Sequence, residues 1–407
     1  MSDALPPLRQ VDVFPVEHDG RRYIALRDAA GYTAAVLMLP VGLLELVSLL
    51  DGEHSVADIQ AALMRRHGEL VERERIEGLV RSLDEQGFMD SPAFAARRDA
   101  VDRAFLESPT RPASHAGGAY AADPEALRTA VDGFFAPPEG PGPIAGPGTG
   151  QPVRGLVAPH IDFHRGGPAY AWAYRELAER GDADVFVVFG TCHAGMADPF
   201  ALTRKPFDTP LGPAAVDRDF VDALAGRARQ DCFASELAHR NEHSIELQAV
   251  FLRYLYAGRR DVTVVPVLTS FVHEALHLGR APEDDARVPR FLDALADTVA
   301  ACGRRVTFIA GADLAHVGPR FGDPEPVSDA ERSRIEREDR AMLAAVEAGD
   351  ARAFFESALR DGDRRRVCGL SPIYSLLRAT GGAAGSLRRY GQWPDPAGVV
   401  SFASVVF

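Results

Sequence analysis

Short, wholly apolar runs recur between residues 151 and 407, and they alternate with stretches whose apolar residues follow a helical period. Apolar runs of this length predict strands that are buried on both faces of a parallel sheet. We place strands near 153–158, 184–189, 262–268, 305–311, 386–390 and 398–406. Helices are predicted near 168–180, 216–227, 243–257, 288–302, 327–348 and 371–380. The alternation predicts an α/β domain with a mostly parallel sheet flanked by helices.

The first hundred residues have a different pattern. A strand is predicted near 22–26 opposite 11–16, followed by helices near 41–50, 56–63 and 76–83. Ser55 and Asp58 have the spacing of a capping box at the start of the second helix. Phe88 and Met89 are expected to begin a wing strand. We therefore predict a small winged-helix-like α+β domain over 1–105 and the α/β domain over 106–407.

Polar side chains follow three of the predicted strands. His160 follows the first strand, His193 follows the second, and Asp313 and His316 follow the strand at 305–311. Ligands of open α/β sheets bind beyond the carboxyl ends of the strands, so we expect these side chains to meet at one edge. Cys368 precedes a helix that Pro372 is expected to open, and a helix N-terminus stabilises a thiolate.

Two imidazoles and a thiolate form a plausible ligand set for iron, copper or zinc. Each residue also has a structural interpretation: a hydrogen-bonded histidine at a sheet edge, or Cys368 as a buried apolar thiol. Glu242 and Glu246 lie one turn apart near the start of a predicted helix. On spacing alone, compensation of the helix dipole is the favoured role for these two carboxylates.

Composition limits the possible partners and locations. The net charge of −13 argues against nucleic acid or an anionic membrane as the main partner. The four cysteines contain no C-x-x-C pair and favour reduced thiols in a cytoplasmic protein. The N-terminus lacks the pattern of a signal peptide, and the longest apolar stretch, 34–50, is too interrupted to span a membrane.

Several motifs together resemble the Memo family, which in bacteria and archaea is called AmmeMemoRadiSam system protein B. The segments that carry the resemblance are Ser114–Tyr120, Ala158-Pro159-His160, Gly190-Thr191-Cys192-His193, Phe207–Gly212, Glu242–Glu246, Asp313–His316 and Cys368-Gly369 with Pro372-Ile373. They occur in the family's order and spacing, and the resemblance covers roughly 110–407. Residues 46–59 separately resemble PqqD-like domains, which would imply recognition of a peptide or a partner protein.

The resemblance to the Memo family implies a fold and a ligand set. The fold is similar to that of class III extradiol dioxygenases, which hold non-haem iron between two histidines and one glutamate. Memo-like proteins place two histidines and a cysteine there, which correspond to His160, His193 and Cys368. The positions of His243, His316, Asp313 and Glu242 imply that acid/base and supporting residues line the same cleft.

The chain departs from the family pattern beside the first proposed ligand. The usual A-P-H-A-G-Y becomes Ala158–Phe163, so that a tyrosine is lost and the carboxylate of Asp162 is gained. After Cys368-Gly369, a polar pair becomes Leu370-Ser371. These changes leave the three expected ligands intact, but they weaken any inference from the family to a substrate.

Three functional interpretations follow. The first is a redox enzyme that uses iron or copper. The second is an accessory protein without turnover, which handles metal and recruits a peptide or a radical-SAM protein through the N-terminal domain. The third and weakest is a hydrolase with Cys368 as nucleophile.

Overall fold

The computed structural model describes residues 3–68, 70–146, 148, 150–395 and 397–407. Contacts divide the chain into two compact units, Met1–Ser108 and Pro109–Phe407. The domain boundary predicted from the sequence lies after residue 105. Within the described ranges, none of the helices combines the length and the apolar character that crossing a membrane requires.

The first unit combines a small antiparallel sheet with helices. Its strands are β1 (Asp12–His18), β2 (Arg21–Arg27) and β3 (Val36–Pro40), and its helices are α1 (Leu44–Ser48), α2 (Val56–His67), α3 (Arg73–Glu85) and α4 (Pro92–Glu107). The sheet has the order β1-β2-β3. The predicted capping box is present, because Ser55 accepts a hydrogen bond from the backbone of Asp58 and donates its own backbone N–H to that carboxylate.

The N-terminal sequence predictions differ from the structure in three details. Strand β3 was not predicted, and the helix expected over 41–50 is a 3₁₀ turn followed by the short α1. Phe88 and Met89 do not form a wing strand. Both are fully buried in the core of this unit, and Met89 makes only an isolated bridge to Leu8. The PqqD-like character of the unit stays a prediction.

The second unit is built around a larger, mostly parallel sheet. Its strands are β4 (Gly155–Ala158), β5 (Val185–Thr191), β6 (Phe200–Leu202), β7 (Thr263–Thr269), β8 (Val306–Gly311), β9 (Asp313–Val317), β10 (Ser386–Asp395) and β11 (Gly398–Val406). The order is β10-β11-β4-β8-β5-β7-β6, and β9 pairs with β11. The pairs within β4-β8-β5-β7 are parallel, whereas the flanking pairs are antiparallel.

Helices cover both faces of this sheet. They are α5 (Pro124–Phe134), α6 (Phe163–Arg180), α7 (Arg218–Ala228), α8 (His243–Tyr256), α9 (Val272–Leu278), α10 (Arg287–Ala301), α11 (Asp329–Glu347), α12 (Ala351–Asp361) and α13 (Leu370–Ala379). On β5, Val187 packs in one apolar core and Val188 in the other. Burial of both faces explains why the strand sequences are continuously apolar and do not alternate.

The sequence analysis therefore predicted the α/β architecture correctly, but it missed several elements. Strands β6 and β9 and helices α5, α9 and α12 were not predicted. Asp313 and His316, expected in a loop beyond β8, lie on β9. Helix α13 begins at Leu370, two residues before Pro372, and Gly369 is its N-cap. Cys368 thus directly precedes the helix, as predicted.

Candidate metal centre

The site lies where the parallel strands β4 and β5 end. Pro159 separates His160 from the end of β4, and Cys192 separates His193 from the end of β5. The third imidazole, that of His243, is on the first residue of α8, whose N-cap is Glu242. Three segments that are distant in the sequence therefore deliver imidazoles to one edge of the sheet.

Glycines at the strand ends allow α8 to approach this edge. A Cβ atom built on Gly190, in β5, would lie 2.5 Å from the Oγ of Ser244, and one built on Gly311, in β8, would lie 2.5 Å from the Ser244 carbonyl oxygen. Any side chain at either position would displace the first turn of the helix. Glycine is therefore required at both positions for His243 to lie beside the other two histidines.

The three imidazoles are close enough to share one ion. One ring nitrogen from each of His160, His193 and His243 can be chosen so that all three lie within 4.8 Å of one another. The ring centroids are 4.9 Å apart for His160 and His193, 5.2 Å for His160 and His243, and 4.7 Å for His193 and His243. This is the cluster that the structure offers for a metal ion.

Contacts between Nδ1 and an acceptor oxygen orient the three rings. The Nδ1 atom of His160 is 2.9 Å from the carbonyl oxygen of Gly311, so it must donate its proton there, and Nε2 is the unprotonated nitrogen. The Nδ1 atom of His193 lies 3.0 Å from Oε1 of Glu242, and that of His243 lies 3.3 Å from the same oxygen. A carboxylate or carbonyl behind each imidazole is the usual support of metal-binding histidines.

The protonation tendencies of the cluster also suit a cation site. Burial and the neighbouring His193 lower the pKa of His160 to about 3, and burial lowers the pKa of His243 well below its usual value. Both imidazoles are therefore neutral, and each has a nitrogen lone pair that can bind a metal ion. Burial acts in the same direction on His193, but the Glu242 carboxylate and Cys368 outweigh it and raise its pKa. A metal ion that binds His193 would displace this proton.

Cys368 lies beside the cluster. Its Sγ atom is 3.1 Å from Nε2 of His160, and the thiol also lies close enough to His193 to raise the pKa of that imidazole. Burial raises the pKa of the thiol, and the contact with His193 opposes this effect in part. The backbone carbonyl of Cys368 accepts a hydrogen bond from the hydroxyl of Thr191, over 2.9 Å. The thiol is therefore held against two of the three imidazoles.

A buried ion pair supports the segment that precedes Cys368. Asp339 and Arg365 form a salt bridge in which both side chains are almost fully buried. The other oxygen of Asp339 accepts a hydrogen bond from the Ser401 hydroxyl, over 2.6 Å. The carbonyl of Arg365 in turn accepts the backbone N–H of His316, over 2.6 Å. These contacts together tie the segment before Cys368 to α11 and to strands β9 and β11.

Asp313 and His316 occupy different parts of this edge. Oδ1 of Asp313 accepts the backbone N–H of His160 over 2.9 Å, and Oδ2 lies 3.8 Å from Nε2 of the same residue. Burial raises the pKa of Asp313 to about 6. The Nδ1 atom of His316 bonds the carbonyl of Leu314, and its ring packs edge-on against Phe321 at 5.1 Å. Asp313 therefore anchors the first histidine directly.

Glu246 does not face the imidazole cluster, although it lies one turn from Glu242. It is fully buried and forms a salt bridge with Arg111 and a hydrogen bond with the hydroxyl of Tyr120. It also accepts from Nδ1 of His115, over 2.9 Å. Glu246 does lie in the first turn of α8, as dipole compensation requires, but it also forms a buried ion pair that the spacing did not indicate. Its partners lie far away in the sequence, on the segment that precedes α5.

His115 is the residue near the site that the sequence reasoning missed. Its ring centroid is 5.4 Å from that of His243. The signal was present, because His115 lies within the Ser114–Tyr120 motif, but the motif was used only to recognise the family. Asp162, the carboxylate gained beside His160, instead pairs with Arg165 at 3.0 Å.

Comparisons with known proteins agree with these motifs. The family model described as "Memo-like protein" matches residues 111–406. A MEMO1 family protein from Aquifex aeolicus is 27% identical over 98% of this chain and 99% of its own length. One from Methanopyrus kandleri is 30% identical, over 72% of this chain and 96% of its own length.

Among solved structures, the crystal structure of an uncharacterized protein from Escherichia coli K12 aligns with 63% of this chain and 99% of its own. Its TM-score is 0.38 and its sequence identity is 11%. A structural similarity this low establishes neither fold nor function. The resemblance to extradiol dioxygenases therefore stays a prediction.

Proposed function

Since the chain belongs to the Memo family, we propose that its second unit holds a redox-active transition metal, iron or copper, at the edge where β4 and β5 end. The observation that carries this proposal is the convergence of His160, His193 and His243, each with Nδ1 beside a fixed acceptor. Cys368 is proposed to add a thiolate to this set, as the family resemblance implies.

The donor set fits such a metal. Imidazole nitrogens suit iron and copper, and a soft thiolate favours these ions over magnesium or calcium. His160 lies at the base of the site with 2% of its side chain exposed, whereas His193 retains 37% and His243 retains 29%. Ligands could thus reach the ion from the side of His193 and His243.

The residues around such a centre have different roles. A bound iron or copper ion supplies electron transfer or the activation of a bound small molecule. Glu242 orients His193 and His243, and the Asp313 carboxylate fixes the backbone at His160. His316 and His243 are the groups that the sequence proposes for proton transfer. In the geometry described here, His243 is placed to bind the metal as well.

Metal analysis of anaerobically purified protein tests the proposal. We expect about one iron or copper ion per chain, and strong loss of metal in His193→Ala and in Cys368→Ala. His277→Ala, which changes a histidine outside the site, is the matched control and should retain the metal. Unchanged metal content in both site variants would refute the assignment of the ligands.

Alkylation separates a metal-binding thiol from a nucleophilic one. If Cys368 binds metal, iodoacetamide should modify it in metal-free protein, and added Co²⁺ should protect it. The raised pKa of this thiol argues against a free thiolate nucleophile, whereas a bound metal ion would itself deprotonate the thiol. Modification at an equal rate with and without Co²⁺ would favour the hydrolase interpretation.

A second proposal concerns the first unit, which could recruit a peptide or a radical-SAM protein. An apolar pocket between its sheet and α1 favours this role. The residues that line the pocket are Leu8, Val13, Ile24, Leu26, Leu39, Leu44, Val47 and Ser48. Leu44 and Val13 are exposed at its rim. Exposed apolar surface of this kind is typical of interaction sites.

A pull-down with the purified radical-SAM protein encoded nearest to this chain's gene tests recruitment. Leu44→Asp should abolish the capture, whereas Leu278→Asp, at an equally exposed leucine of the second unit, should not. Capture that survives Leu44→Asp would exclude the pocket as the docking site.

A further inference from the structure

A fourth imidazole, that of His115, stands beside the proposed centre but lies outside the cluster of three histidines that could hold a metal ion. It belongs to the segment between the first unit and α5. Its ring is tilted against that of His243, with 5.4 Å between the centroids. Because α8 carries both His243 and Glu246, the same helix fixes the neighbour of His115 and its hydrogen-bond acceptor.

Glu246 holds His115 by two contacts. Its Oε1 accepts the backbone N–H of His115 over 3.0 Å, and its Oε2 lies 2.9 Å from Nδ1. Burial alone would raise the pKa of Glu246, but the Arg111 guanidinium, His115 and the Tyr120 hydroxyl outweigh it and lower the pKa to about 2. The carboxylate is therefore an anion that can only accept hydrogen bonds, so Nδ1 must carry the proton.

This assignment determines what the other nitrogen offers. When the ring carries only this proton on Nδ1, its Nε2 atom is a hydrogen-bond acceptor. Nε2 lies on the side of the ring away from the buried carboxylate. The side chain retains 23% exposure, similar to the 29% of His243 and the 37% of His193. His115 and these two histidines therefore all keep exposed surface, whereas His160 is buried.

We propose that His115 is a ligand-binding residue whose Nε2 accepts a hydrogen bond from an O–H or N–H group of the molecule that reaches the metal. The inference rests on the proposed metal centre and adds to it a preference for one class of ligand. The favoured ligands are small molecules that carry a hydroxyl or amide proton next to the atom that binds the metal. Ligands without such a proton gain nothing from His115.

The two nitrogens of His115 can be tested separately. His115→Asn places an amide N–H near the position of Nδ1, so the bond to Glu246 can be kept while the Nε2 acceptor is removed. His115→Gln has a longer side chain, whose amide oxygen can reach the position of Nε2. The first variant removes the proposed function and spares the structural contact, and the second restores the acceptor.

The experiment measures binding of two probes to the Co²⁺-loaded full-length protein by visible absorption. Acetohydroxamate carries N–H and O–H protons, whereas azide carries none. We expect His115→Asn to weaken acetohydroxamate about three- to tenfold, the effect of one hydrogen bond, and to leave the affinities for azide and Co²⁺ unchanged. His115→Gln should recover most of the loss.

Every other result counts against the inference. Equal weakening of both probes, or loss of Co²⁺ from His115→Asn, would show that the residue acts only on the structure of the site. Unchanged binding of acetohydroxamate would show that Nε2 makes no contact. If the unmodified protein binds no Co²⁺, the metal centre itself fails and this inference fails with it. The uptake of Co²⁺ therefore distinguishes the two failures.

Discussion

Replacement of Glu246 by glutamine should destabilise the second unit strongly, because it breaks a fully buried ion pair. The guanidinium of Arg111 would stay in the interior without a charged partner, bonded to the backbone carbonyls of His239, Pro112 and Glu242. Removal of one partner of a buried pair typically costs about 3–5 kcal/mol. Glutamine keeps the size of the side chain and some of its hydrogen bonds, so cavity effects are small.

The pKa of Glu246 gives a second route to the same magnitude. Folding lowers it from 4.5 to about 2, and each pH unit of lowering corresponds to about 1.36 kcal/mol. The charged form therefore contributes about 3 kcal/mol to the free energy of unfolding. Because the folded pKa is depressed, this contribution is present above pH 4.5 and is lost as the pH falls towards 2. The two estimates agree.

The assay is urea unfolding followed by tryptophan fluorescence. Both tryptophans, Trp172 and Trp393, lie in the second unit, so the signal reports on that unit alone. The difference between Glu246→Gln and the unmodified protein should be about 3 kcal/mol at pH 7 and should shrink below pH 4.5. Glu356→Gln, which breaks an exposed helical pair with Arg352, should leave the urea midpoint unchanged.

Two outcomes would refute this reasoning. A difference below about 1 kcal/mol at pH 7 would mean that the buried pair contributes no more than an exposed one. A difference that stays constant down to pH 3 would mean that the charge of Glu246 is not what stabilises the fold.

Three further predictions concern the metal centre itself. Glu242→Gln should weaken Co²⁺ binding about 10- to 100-fold, measured against a chromophoric chelator, because the carboxylate that orients two imidazoles is lost. Gly311→Ala should abolish Co²⁺ binding and lower the melting temperature, since its Cβ would collide with the start of α8. Arg365→Met should reduce the thiolate-to-Co²⁺ absorption band more than Co²⁺ uptake, because the segment that leads to Cys368 loses its buried anchor.

Each of these predictions has a control or a contrary outcome. Gly226, on α7, faces open space, so Gly226→Ala should retain Co²⁺ binding and stability. Full Co²⁺ affinity in Glu242→Gln would mean that the imidazoles are oriented without the carboxylate. Parallel loss of the absorption band and of Co²⁺ in Arg365→Met would show a general defect, without a specific effect on the thiol.

Local sequence patterns were sufficient to predict the central strands of the sheet. Val185–Thr191 is apolar and buried on both faces, and such a run has few alternatives to a central strand. Strand β9 was missed because Asp313 and His316 make it look polar. Its hydrogen-bond partner is β11, more than eighty residues later in the chain. The pattern within a segment does not contain the identity of such a partner.

The same limit explains how the site was only partly predicted. His160 and His193 could be located because each follows its own strand, and the ends of parallel strands meet at one edge. His243 was predicted to act in the same cleft, but its approach to the other two imidazoles depends on Gly190 and Gly311, on strands that α8 crosses. The role of a glycine at a strand end cannot be recognised from the sequence until the helix that packs on it is known. The composition of the imidazole cluster is therefore a property of packing between elements, and only its two strand-borne members could be placed beforehand.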